Sequence, residues 1–155
     1  MTHQTSLKSD ARRVMMTQTL RQTVMFKVVS QDAVENLIDG CQLLNLSTGE
    51  YLFHAGQKAH GFYVVHSGAV NIHRVTEDGR EQVIRVFYPT ESFGEVVIVG
   101  DHTYPASAKT IEKSQIILIP TVFLKEYIQK NTDIALHIIY SISQHLRFLL
   151  DTVES

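Results

Sequence analysis

Apolar positions recur at helical spacing near both ends of this chain and at strand spacing in between. In "SDARRVMMTQTLRQTVMF" Val14, Met15 and Leu20 are apolar, but Gln18 and Thr19 interrupt the stripe, which predicts only a weak helix. "SQDAVENLIDGC" carries Val34, Leu37 and Ile38 on one face. It has Ser30 or Asp32 as candidate caps and stops at Gly40, which predicts a second helix. From Leu43 to Pro120 the pattern changes to short β-branched and aromatic runs, punctuated by Gly49, Gly56, Gly61, Gly68, Gly79, Gly94 and Gly100. Within it, "FYVVHSGAVNIHRVTEDGREQVIRVFYP" reads as two strands joined at "EDG", where Gly79 can take the positive φ of a hairpin turn. Eight or so such strands predict a barrel-like or jelly-roll sandwich.

After Pro120 the helical period returns, first in "TVFLKEYIQK" and then, with Thr132 or Asp133 as cap, in "DIALHIIYSISQHLRFLLDTVES". Ala135, Ile139, Ile142, Leu146, Leu149 and Val153 are spaced 4, 3, 4, 3, 4, the seam of a coiled coil. At 1.5 Å per residue the helix runs roughly 30 Å, longer than a small barrel can cover, so the seam is expected to meet a second copy of itself. The alternative is a helix packed only on its own domain. The expected fold is thus α+β and mainly β: a double-stranded β-roll over 43–120, an N-terminal helical segment over 1–42 and a long C-terminal dimerisation helix within 121–155.

Composition narrows the function. With 155 residues, 44% of them hydrophobic, the chain can bury one real core. A formal net charge of -2 gives no global attraction to nucleic acid or an anionic membrane. The single cysteine, Cys41, removes a disulfide framework and any four-thiolate site from one chain, and fits a reducing, cytoplasmic setting. Apolar runs such as "EVVIVG" fall far short of the roughly 18 residues of a membrane span, and "MTHQTSLKSDARR" has no signal-peptide core. No nucleophile with a partnered base, phosphate-cradling glycine loop or zinc spacing is present, so the chain reads as non-catalytic. A cupin-like enzyme would have to assemble His54, His60, Glu50 and Glu95 without a close His-x-His pair.

Taken together, "TGEYLFHAGQKAHGFYVVHSGAV", "SFGEVVIV", "YPASAKT" and the closing "LRFLLDTVE" resemble the effector domain of the Crp/Fnr regulators, the cyclic-nucleotide-binding fold. The resemblance covers almost the whole chain and implies a ligand pocket around Phe93, Gly94, Glu95, Val96, Tyr104, Pro105, Ala106 and Ser107. In members that bind cyclic nucleotides, a short helix beginning at the position of Gly94 points N–H groups at the phosphate. A carboxylate, here Glu95, accepts from the ribose, and an arginine about nine residues on neutralises the phosphate. At that arginine position this chain has Tyr104. Without a ligand, Glu95 also serves simply as a carboxylate in the first turn of a helix. Arg74 and Arg85 lie on nearby strands and are the candidates to reach in, but alternation alone does not fix their direction.

Cyclic AMP and cyclic GMP are therefore disfavoured as ligands, and a genuine cyclic-nucleotide module is the alternative. The lone cysteine excludes the iron–sulfur sensors of the family. "LNLSTGEYLF", "RVTEDG" and "NTDIAL" are similar to the nitric-oxide-responsive regulators of denitrification, which implies haem as a cofactor. Of the eight histidines, His66 shares a face with Phe62 and Val64 and is the ligand candidate. His73 alternates away from Val70 and Ile72 and is expected to face solvent, His137 and His145 lie on the long helix, and His3 lies near the terminus. The family carries a winged helix-turn-helix beyond the dimer helix, and the chain stops at "DTVES", where that module would begin. DNA contact is expected only through such a module, with ligand shifting the two long helices between arrangements.

Overall fold

The computed structural model describes residues 2–27, 29–95 and 103–154. The element order is α1 (Thr2–Arg21), α2 (Gln31–Ile38), β1 (Gln42–Leu46), β2 (Tyr51–Phe53), β3 (Gly61–Ser67), β4 (Val70–Val75), β5 (Glu81–Phe87), β6 (Ser92–Phe93), β7 (Ser107–Thr110), β8 (Ser114–Pro120), α3 (Thr121–Lys130) and α4 (Thr132–Glu154). The strands form two antiparallel four-stranded sheets, in the orders β1-β8-β3-β6 and β2-β7-β4-β5. This is the expected roll.

β3 explains how sheets and helices fit together. Its odd residues Tyr63 and Val65 point between the sheets, with Phe53, Val70, Phe87, Phe93, Tyr104, Ala108 and Ile116. Its even residues Phe62 and Val64 point the other way, with Ile117 and Ile119 of β8, and pack against Leu20, Phe26, Val34, Leu37, Leu124 and Ile134 of the helical segments. Both faces of β3 are buried, so its sequence is a continuous apolar run.

Turns follow the glycines. Gly79 has φ +86 and its N–H reaches the Thr76 carbonyl, closing the β4–β5 hairpin. Gly40 differs: it has no positive φ, but a Cβ there would lie 2.3 Å from the ring of Phe123, so it permits close approach of α3. Ser30 is the cap of α2, its side chain accepting from the Ala33 N–H at 3.2 Å.

Two expectations change. α1 is a full helix rather than a weak one, because it does not use the apparent stripe: Val14 is exposed, whereas Met16, Thr17, Thr19 and Leu20 are buried. Thr19 fits there because its Oγ1 donates to the Met15 carbonyl at 3.0 Å. His73 is on the outer face of the second sheet, as alternation implies, yet it is fully buried. Tyr51 meets its ring edge-on at 5.8 Å, Asn71 Oδ1 lies 2.7 Å from Nδ1, and Glu81 of the paired strand stands over it, tied to Lys109 at 2.9 Å. Alternation sets the face; the side chains of three neighbouring strands set the burial.

Among the described residues of α4, several apolar side chains are exposed. Ile139 is 60% and Leu146 57% exposed, Ala135 is half-buried, and Leu136, Tyr140 and Leu150 extend the exposed surface beside the seam. The side chains of Ile142, Leu149 and Val153 lie outside the described residues. No described helix is long and apolar enough to cross a membrane.

Candidate functional site

The space between the two sheets is built from aromatic rings. Phe93, at the end of β6, stacks on Tyr63 with centroids 5.3 Å apart and planes at 14°. Phe87 of β5 tilts against Phe93 at 5.3 Å, and Phe53 of β2 approaches Tyr63 at 5.6 Å. Tyr104 completes the row, lying on Phe53 at 3.7 Å and 11°. All of these rings bury large apolar area, and the offset and tilted pairs around Tyr63 and Phe93 add favourable quadrupole geometry.

Tyr104 is held from several sides. It is 3% exposed. Its hydroxyl donates to the Gly61 carbonyl at 2.7 Å. Its backbone N–H reaches the Gln57 carbonyl at 3.0 Å, and its own carbonyl accepts from the Gly56 N–H at 2.8 Å. Burial, and then the adjoining Tyr104 hydroxyl, push the Tyr63 phenol well above the usual tyrosine range, so it stays neutral. Beside these rings a cleft of about 250 Å³ is lined by Leu52, Phe53, Gln57, Lys58, His60, Tyr63 and Tyr104.

The other sequence candidates distribute around this core. Gly94 has φ +87, a backbone state that only glycine adopts at low cost. Glu95 is buried, while Val96 and the rest of the expected short helix up to residue 102 lie outside the described residues. Pro105 is exposed, Ala106 is buried, and the Ser107 Oγ accepts from the Ala55 N–H at 2.9 Å. Arg85 does turn toward the interior: its guanidinium lies 4.5 Å over the Phe87 ring and bonds Glu91 at 2.9 Å. Arg74 is exposed.

Phe53, Tyr63, Phe87 and Gly61 were not singled out from sequence, although they form most of the site. The alternation of β3 would have placed Gly61 and Tyr63 on one face, whereas Phe53 and Phe87 lie on β2 and β5. Nothing local tells which face looks between the sheets.

His66 lies on the Phe62 and Val64 face as expected, and that face is the one toward the helices. Thr19 Oγ1 lies 3.0 Å from the Met15 carbonyl and 2.7 Å from His66 Nδ1, a hydrogen bond that holds the imidazole against α1. His3 and His145 have side chains outside the described residues, and His137 is half-buried. Burial, with the Asp39 charge adding to it, pushes the Cys41 thiol up to about 12, so it is a neutral thiol near neutral pH. Among the described residues no three of His, Cys, Asp and Glu converge on a point that could hold a metal ion.

Residues 43–131 match the cyclic nucleotide-binding domain. The chain is 31% identical over 118 residues to neuropathy target esterase sws of Drosophila melanogaster, covering 72% of this chain and 8% of that protein. It is 26% identical over 132 residues to the CRP-like cAMP-activated global transcriptional regulator of Mycobacterium tuberculosis, covering 85% of this chain and 59% of that one. The chain thus spans less than two thirds of either relative. Among solved structures, the sensor domain of the transcriptional regulator DNR from Pseudomonas aeruginosa superposes with a TM-score of 0.78 at 28% identity, covering 92% of this chain and 96% of the other. With a family match over more than half of its length and that structural likeness, the chain belongs to the cyclic nucleotide-binding domain family, in the form of a Crp/Fnr-type sensor domain.

Proposed function

We propose that the chain senses an effector other than a cyclic nucleotide and passes its state on through paired α4 helices to a DNA-binding module. Tyr104 carries this reading. It stands at the position where the family's nucleotide-binding members have an arginine, and it is stacked on Phe53 and bonded to Gly61, so it fills the pocket with a neutral ring. An arginine–phosphate contact contributes roughly 1.5–3 kcal/mol, a factor of about ten to a hundred in affinity. Arg85 is no substitute while it bonds Glu91. The same neutral, ring-filled interior favours a small and weakly charged effector over a phosphodiester.

Calorimetric titration with cyclic AMP and cyclic GMP tests this. The expected result is no saturable heat at micromolar ligand. Micromolar binding at one site per chain would instead establish a genuine cyclic-nucleotide regulatory domain.

The Thr19 contact of His66 favours one more specific reading. Metal-ligating histidines have their second ring nitrogen held by a hydrogen bond, as Nδ1 of His66 is by Thr19. His66 would be a ligand to haem iron, with Thr19 orienting its ring. Haem would supply an iron able to bind a diatomic gas such as nitric oxide. Protein produced with haem should then show a Soret band that shifts on nitric oxide and is lost in His66→Ala. A colourless protein, or a band untouched by the substitution, removes His66 as the ligand.

A further inference from the structure

Two hydrogen bonds from different parts of the molecule converge on one dipeptide, His60–Gly61. The Gly61 carbonyl accepts from the buried Tyr104 hydroxyl at 2.7 Å. The His60 carbonyl accepts from the Thr121 N–H at 2.9 Å. Thr121 is the first residue of α3, and no side chain caps that helix, so this bond satisfies one of the amides that a helix start leaves without a partner.

The dipeptide has little slack. Gly61 stands opposite Pro120 in the β3–β8 ladder, and a Cβ at Gly61 would come within 2.2 Å of the Ile119 carbonyl oxygen. A movement of the Gly61 carbonyl is therefore felt at Pro120 and Thr121 without any intervening side chain. At the other end, Tyr104 and His60 both line the cleft of about 250 Å³, so a molecule entering it touches both sides of the dipeptide.

We propose that Tyr104 is a positioning residue for α3: with its phenol on Gly61 it holds the His60–Gly61 strap, and through it the first turn of α3. An effector that offers the phenol another acceptor releases both. α3 runs through Asn131 into α4, so the first turn of α3 is where the roll hands its state to the long helix. The proposal rests on Tyr104 acting as a plug rather than a nucleotide ligand, and the two can fail separately.

Amide hydrogen exchange, resolved by residue on the 155-residue chain, tests it with two variants. Tyr104→Phe keeps the ring and removes the hydroxyl; Phe53→Leu loosens the stack and keeps the hydroxyl. Loss of the buried bond in Tyr104→Phe should speed exchange at Thr121 by about tenfold, while Ile117 and Ile119 in the β3–β8 ladder change far less. Phe53→Leu should leave Thr121 close to wild type. An unchanged Thr121 in Tyr104→Phe overturns the proposal. So does equal acceleration at Ile117 and Ile119, which would report a loss of global stability, and so does an equal effect in Phe53→Leu. A positive nucleotide titration with the Thr121 result intact would sink the plug reading and leave the coupling standing.

Discussion

Replacing Gly68 with alanine is expected to destabilise the domain by about 3–4 kcal/mol, through a backbone cost, a clash and a lost hydrogen bond that coincide at one turn. Gly68 has φ +90, where an L side chain costs about 1–2 kcal/mol. The new Cβ would stand 2.1 Å from Ser114 Oγ and 2.6 Å from the Lys113 carbonyl oxygen. Ser114 could rotate away, but its Oγ accepts from the Ala69 N–H, a buried bond worth about 1 kcal/mol. The Lys113 carbonyl is backbone and moves only with the β7–β8 turn. For a chain of this size the sum corresponds to a fall in melting temperature on the order of 10 °C, measurable by calorimetry. Gly49→Ala and Gly56→Ala serve as controls. Both glycines have positive φ, but nothing lies within 4 Å of the added Cβ, so each should lose only the backbone part. Equal losses at all three positions would show that the clash at Gly68 contributes nothing.

The second large effect is expected on α4. If the seam pairs two copies, Ile139→Glu with Leu146→Glu should convert a dimer into a monomer. Each exposed side chain would bury about 1.5 kcal/mol or more of apolar area, and each counts twice across a twofold interface. The loss is then roughly 6 kcal/mol, or about four orders of magnitude in the dimer constant. Sedimentation at micromolar protein reads it directly. Leu136→Glu is the discriminating control, since Leu136 is 65% exposed but lies beside the seam rather than in it. A wild-type chain that sediments as a monomer removes the seam. A dimer broken only by Leu136→Glu moves the contact to the neighbouring stripe.

Both effects lie in features that can be read from sequence, and the contrast with the pocket is instructive. Gly68 is visible because a turn needing positive φ selects glycine locally. The seam is visible because spacings of three and four place residues on one side of a helix whatever surrounds it. The opening helix is less legible, because its buried positions include Thr17 and Thr19, whose hydroxyls a hydropathy pattern counts as solvent-facing. The burial of His73 is not legible at all, because on the outer face of a sheet it depends on Tyr51, Glu81 and Lys109, which lie on other strands.

The sequence by itself determined the order of elements, the roll with its glycine turns and the apolar stripe of α4. Each depends on a residue and its near neighbours along the chain. Tertiary structure alone decided which face of β3 looks between the sheets, that Tyr104 lies on Phe53 with its phenol on Gly61, and that Gly61 sits beside the start of α3. A strand buried on both faces has no polar side to orient it. Its direction is set by residues of other elements, from Leu20 and Phe26 on the helical side to Phe93, Tyr104 and Ile116 between the sheets.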